Sequence, residues 1–333
     1  MTRSWITRAG VTLLLITGNL QDGRAYLRQA NVVGASRIPV HWAGRVITYS
    51  VSNVQVPGVT VDAFEAALQR AAQSWEAAPG SNITFQYSGR TSARPLDLDG
   101  RNTIGFLNIP ELEGVLGVTA TLTDVFSGEI VEADMFLNAA SDWSVSGAGE
   151  EDAYDVESIA LHELGHMLGL DHSALGYFQV QDGDARLAAA EAVMFPFAFD
   201  PGTTAGRVLK SDDIAGVGAI YPDPDHQADT GAIRAHVQLG GRDVFGAHVM
   251  AFNPISGSMV AGFVLESGEA VISGLAPGPY VLRVEPVDDD DAGSYFEEPP
   301  AVDLAFRNTF IDRLIYVQRG GTAGPVEIVL EAK

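Results

Sequence analysis

The chain has 333 residues, with 43 acidic side chains against 20 basic ones and a formal net charge of −23. A surface of that sign repels phosphate backbones and anionic headgroups, so nucleic acid is not an expected partner and stable membrane insertion is not expected either. There is no Cys, which excludes disulfides, thiolate-ligated zinc and a catalytic thiol.

Residues 1–37 read as a leader. Arg3 and Arg8 precede the apolar run Val11 to Ile16, the order of a short export signal, which points to a secreted, extracellular or cell-envelope protein. The run is too short to span a bilayer. Arg45 to Val51 alternates and is β-branched, as a strand requires. Val61 to Ala78 places Phe64, Leu68, Ala71, Ala72 and Trp75 at helical spacing before Pro79-Gly80. Strands are expected at Ile83 to Tyr87, Thr103 to Leu107, Leu116 to Leu122 and Ile130 to Leu137. Helices are expected at Val156 to Leu168, with Asp155 as N-cap, and at Ser211 to Ile220, with Tyr221-Pro222 as its end. This is an α+β layout for residues 38–222: a twisted mixed sheet plus three helices.

Residues 223–230 are polar and contain Pro, as a linker does. Beyond them no helical period appears. Short apolar runs at Ile233, Ala247, Ser258, Ala270, Tyr280 and Val326 recur between Gly and Asn turns, so residues 231–333 are expected to form a small all-β sandwich. The chain as a whole is expected to be a monomer.

The chemistry lies in the second long helix. His162-Glu163-Leu164-Gly165-His166 sets two imidazoles one turn apart on one helix face, where both can ligate one ion. Glu163 sits one position round, within reach of a metal-bound water. Gly169 can turn the chain at positive φ, so that His172 returns to the metal as a third ligand. Three protein ligands leave a fourth position open, the mark of a catalytic zinc. The expectation is a zinc-dependent endopeptidase for protein or peptide substrates, with one Zn²⁺ and Glu163 as general base.

The stretch from His162 to Ser173 resembles the metzincin peptidases, and Ser173 after the third His is the matrixin variant of that pattern. The likeness implies a Met-turn at Met194 and Pro196 beneath the zinc. It implies a closing helix at Asp212-Asp213, one of whose carboxylates would hold backbone under that turn. It also implies a substrate-flanking edge strand at Leu116, Gly117, Val118 and Thr119. The His172 to Met194 stretch is longer than usual, and an extra helix is expected at Ala185 to Ala192. No His lies between His41 and His162, so the second, structural zinc of animal matrixins has no ligands here. Calcium has little support. Leu137 to Ala140 stands in place of the family's acidic ligands, and Asp97-x-Asp99-Gly100-x-Asn102 reads as a turn without a closing Glu. Gly274 to Val284 resembles the signature of carboxypeptidase regulatory-like domains. Two other assignments stay open at this point: a catalytically inactive zinc-containing adhesion or binding protein, and a metallopeptidase of another clan with a distant Glu as third ligand.

Overall fold

The computed structural model describes residues 11–15, 28–34, 36–112, 114–181, 184–287 and 302–333. Strands β1 (Val11–Leu15), β2 (Ala30–Val33), β3 (Ser36–Pro39) and β4 (Val46–Ser52) precede helix α1 (Val61–Glu76). Strands β5 (Thr84–Thr91), β6 (Thr103–Leu107), β7 (Gly117–Asp124), β8 (Ile130–Asn138), β9 (Trp143–Ser144) and β10 (Tyr154–Asp155) lead into α2 (Val156–Met167). Then come β11 (Gly176–Gln181), β12 (Asp184–Ala190), α3 (Ser211–Ile220) and the short α4 (His226–Asp229).

One mixed sheet, ordered β1-β7-β8-β6-β4-β5, carries this part of the molecule. β4 shows why a strand forms there: Ile47, Tyr49 and Val51 are buried while Val46 and Thr48 are exposed, so one face enters the core. In α1 the Thr60 hydroxyl accepts from the Ala63 N–H, and the face from Phe64 to Trp75 is buried. Trp75 Nε1 donates to the Leu161 carbonyl at 2.8 Å, pinning α1 against α2. β7 pairs β8 along its length and β1 from Ala120 to Asp124; among the described residues no strand pairs the other edge of Gly117 to Thr119.

Of the run expected as a helix at Ala185 to Ala192, the residues through Ala190 lie instead in β12, paired antiparallel with β11. An Ala-rich octamer is too short to hold a helix unaided, whereas pairing satisfies its backbone groups. Contacts also start before residue 38. Gln29, 3% exposed, receives the strand edge through Val40 N at 2.8 Å and donates from Nε2 to the carbonyls of His166 and Leu170, each at 3.3 Å.

The tail consists of β13 (Gly231–Leu239), β14 (Arg242–Asp243), β15 (His248–Phe252), β16 (Met259–Phe263), β17 (Glu269–Leu275), β18 (Gly278–Glu285), β19 (Thr309–Phe310), β20 (Ile315–Val317) and β21 (Thr322–Leu330). They form a four-stranded and a five-stranded sheet. The segment between the two parts is anchored at one residue: His226 in α4 is 8% exposed, its ring against Gly80 and Gly218, where a Cβ would come within 2.6 Å and 2.5 Å of it.

Candidate metal centre and cleft

α2 carries the motif because both its ends are fixed. Asp155 accepts from Ser158 N at 2.9 Å as N-cap, and Arg207 Nε donates to the same carboxylate at 2.8 Å. At the other end Gly169 has φ +87°, and a Cβ there would lie 2.8 Å from the Val40 carbonyl. The chain therefore turns sharply, and the next residues carry His172 back beside the helix.

The ligand-type nitrogens of His162, His166 and His172 all lie within 4.8 Å of one another. His162 Nδ1 is 2.7 Å from the Val193 carbonyl and His166 Nδ1 is 2.9 Å from the Leu170 carbonyl. A carbonyl only accepts, so each Nδ1 carries the proton and each Nε2 is a bare lone pair. The two Nε2 atoms face each other at 3.1 Å. Two lone pairs at that distance repel unless a cation sits between them, and a tetrahedral zinc with Zn–N of about 2.0–2.1 Å sets its ligands about 3.3 Å apart. The donor set thus fits a zinc ion. Burial, reinforced by the neighbouring His172, depresses His162 to about 3, and burial likewise holds His166 well below the ordinary range, so these imidazoles are in the neutral, ligating form.

Glu163 is 4% exposed, and burial raises its pKa to about 8 against the opposing hydrogen bond from Thr119. The Thr119 hydroxyl lies 2.8 Å from Glu163 Oε2 and 2.9 Å from the Glu163 carbonyl. Gly117, two residues earlier on the same face of β7, leaves the space: a Cβ there would sit 2.7 Å from Glu163 Oε1. Beneath the triad Met194 is 2% exposed. Asp213 holds this turn, accepting from Val193 N at 2.8 Å, Met194 N at 3.1 Å and Lys210 N at 2.8 Å. Asp212 points elsewhere, accepting from the Ser173 hydroxyl at 2.7 Å and from Ala261 N in the tail at 2.9 Å.

The triad and Glu163 open into a cleft of about 750 Å³. Leu116, Gly117 and Val118 line it on one side; Phe195 to Phe199, including Pro196, line it on the other, and Leu187 and Ala190 of β12 add a rim. At the Asp97 to Asn102 turn, Glu132 accepts from Gly100 N at 2.9 Å and Asp134 from Leu96 N at 2.6 Å and Thr103 N at 2.7 Å. Those acids hold backbone. The triad is the one cluster of three or more metal-ligating side chains among the described residues.

The roles of Thr119 and of Ala261 are not visible in the sequence. Thr119 shows there as a strand residue, and only its i, i+2 relation to Gly117 places it over α2. Ala261 acts through its backbone, which leaves no sequence signal.

A three-His site with two of the imidazoles on a helix and the third just past its end, packed against a mixed sheet and beside a buried Met, is the architecture of a metallopeptidase domain. Residues 41–222 match the matrixin model of peptidase family M10, and the chain belongs to that family. It is 30% identical over 196 residues to Metalloendoproteinase 1-MMP of Arabidopsis thaliana, covering 57% of this chain and 47% of that protein. To Metalloendoproteinase 1 of Glycine max it is 30% identical over 174 residues, covering 48% and 46%. To Matrix metalloproteinase-16 of Homo sapiens it is 29% identical over 189 residues, covering 55% and 28%. The chain thus spans about half the length of the plant relatives it matches. No helix of the described residues is long and apolar enough to cross a membrane.

Proposed function

We propose that this chain is a zinc-dependent endopeptidase, secreted or held in the cell envelope, with the ion bound by His162, His166 and His172 and with Glu163 as general base. The observation that carries the reading is the convergence of three imidazoles, two of them neutral with Nδ1 committed to carbonyls, beside a buried carboxylate at the wall of an open cleft. Bound zinc supplies Lewis-acid polarisation of the scissile carbonyl and an acidified water. The protein does the rest. Glu163 ionises more readily once positive charge occupies the triad, because opposite charge favours the carboxylate. With Oε2 held by Thr119, Oε1 takes the proton from the attacking water and passes it to the departing amide nitrogen. The edge of Gly117 to Thr119, which no described strand pairs, offers main-chain pairing to an extended substrate. We read residues 231–333 as a β-sandwich of carboxypeptidase regulatory-like type, supported by its two sheets and by the Gly274 to Val284 signature across β17 and β18.

The test is zinc analysis joined to cleavage of a peptide library by the parent and by Glu163→Ala. The variant is expected to keep its zinc and to lose about 10²-fold to 10⁴-fold in turnover. Equal turnover by the two proteins removes Glu163 from the mechanism, and absence of any cleavage by the zinc-loaded parent removes the peptidase reading.

A further inference from the structure

We infer that the all-strand tail is a working part of the metal site: β16, through Ala261 and the buried carboxylate of Asp212, braces the segment that carries His172. This rests on the reading of the triad as a zinc site.

Asp212 is 1% exposed and uses both oxygens across a junction of three chain segments. Oδ2 takes the Ser173 hydroxyl at 2.7 Å and Oδ1 takes the backbone N–H of Ala261 at 2.9 Å. Ser173 follows His172 directly, and its own N–H goes to the Met194 carbonyl at 2.8 Å. The residue beside the third imidazole is therefore held from two directions, and one of those holds leads through Asp212 to the tail.

Apolar packing repeats the connection. Leu175 and Ala192, 2% and 1% exposed, form one buried cluster with Met250 and Ala261 of the tail, 6% and 3% exposed. Leu175 and Ala192 close the base of the β11–β12 hairpin, where Glu191 N donates to the Leu175 carbonyl at 2.8 Å. That hairpin carries Leu187 and Ala190, which rim the cleft. The docking is close: at Gly274 in β17 a Cβ would meet the Ala215 Cβ of α3 at 2.8 Å.

Undocking the tail would strip one partner from a buried carboxylate and bare four apolar side chains, so the docked arrangement is favoured. Partners behind a ligand restrict its motion, and their loss typically weakens metal affinity by about 10-fold to 100-fold. The tail thus lowers the freedom of His172 and of the cleft rim together.

The experiment uses the full-length chain. Ala261→Asp sets a carboxylate against Leu175 and Ala192 and beside Asp212. Ser173→Ala removes the hydroxyl arm and leaves the tail docked, and Val329→Asp, at a site 70% exposed, serves as control. In zinc-loaded protein, transfer of zinc to a chromogenic chelator is expected to be about 10-fold faster or more for Ala261→Asp, faster to a lesser degree for Ser173→Ala, and unchanged for the control. In metal-free protein, amide exchange at Ser173 to Leu175 and at Ala189 to Ala192 is expected to rise about 10-fold or more in Ala261→Asp. Parental exchange there, or parental zinc release in both variants, overturns the brace. If Ala261→Asp does not fold, parental zinc release by Ser173→Ala overturns it alone. A parent that binds no zinc while Ala261→Asp still speeds the exchange sinks the zinc reading and leaves the brace standing.

Discussion

The hydroxyl of Thr119 lies 2.8 Å from Glu163 Oε2 and 2.9 Å from the Glu163 main-chain carbonyl, so one side chain on β7 meets both ends of the same residue on α2. A hydroxyl has one proton to give and two lone pairs to receive with. It donates to Oε2 of the carboxylate, and it can go on donating there once Oε1 has taken a proton. The carboxyl group is held in one orientation in either state.

Replacing Thr119 by Val keeps the shape and deletes that contact. With a net hydrogen bond worth about 0.5–1.5 kcal/mol, kcat on a short peptide is expected to fall about 2-fold to 10-fold, with KM and zinc content unchanged. Thr119→Ser should restore most of the loss. A fall in KM or in zinc content, with kcat intact, would show that Thr119 acts on something other than Glu163.

His172→Ala should release zinc while the fold persists, because two imidazoles on one helix are an incomplete site and the surrounding core does not depend on the third. Elemental analysis after dialysis, beside the far-ultraviolet circular dichroism of parent and variant, decides it. Full zinc retention by the variant would take His172 out of the ligand set.

Gly165 sits where α2 crosses the turn beneath the triad, and a Cβ there would overlap the Met194 sulfur and come 2.9 Å from the Trp75 ring. Ala is the better helix former, yet Gly165→Ala is expected to lower stability by about 1–3 kcal/mol through overpacking. A chemical denaturation midpoint at or above that of the parent would contradict the close contact.

The pH dependence of metal-free protein has a determined sign above pH 6.5. Burial raises Asp134 and Asp212 to about 7 and Glu163 to about 8, from ordinary values of 3.8 and 4.5. In the unfolded chain these acids are already ionised at pH 6.5, so the folded state holds more protons, and stability falls as pH rises toward about 8. Self-repulsion of the acidic chain acts in the same direction. Below 6.5 the buried neutral imidazoles of His162 and His166 oppose the trend, because the unfolded chain then binds their protons. Thermal midpoints at pH 6.5, 7.25 and 8 should descend, and Glu163→Ala should descend less steeply. A rising series would refute the assignment of raised acids.

The local elements were largely legible. The spacing of Phe64, Leu68 and Trp75 and the His162 to His166 turn are short-range patterns set by helical periodicity, and Gly169 marks a turn that most side chains resist. A ligand trio on a helix and its exit needs only local geometry. The Ala185 to Ala192 run was not legible, because strand pairing with β11 outweighs alanine's helical preference when no apolar face is present to bury. Which carboxylate does what was not legible either. Asp212 and Asp213 are neighbours of the same type, and only the packing of α3 turns Asp213 to the Met194 backbone and Asp212 to Ser173 and Ala261. The same holds for Thr119 over Glu163 and for the docking of β16 on the His172 segment. The sequence by itself determined the three long helices, the trio of His that could hold a metal and the chemistry such residues can support, since each depends on side-chain type at short spacing. Tertiary structure alone decided how that set is oriented and braced, because such contacts join residues 44 and 49 positions apart in the chain and use backbone groups that every sequence shares, the Glu163 carbonyl and the Ala261 N–H.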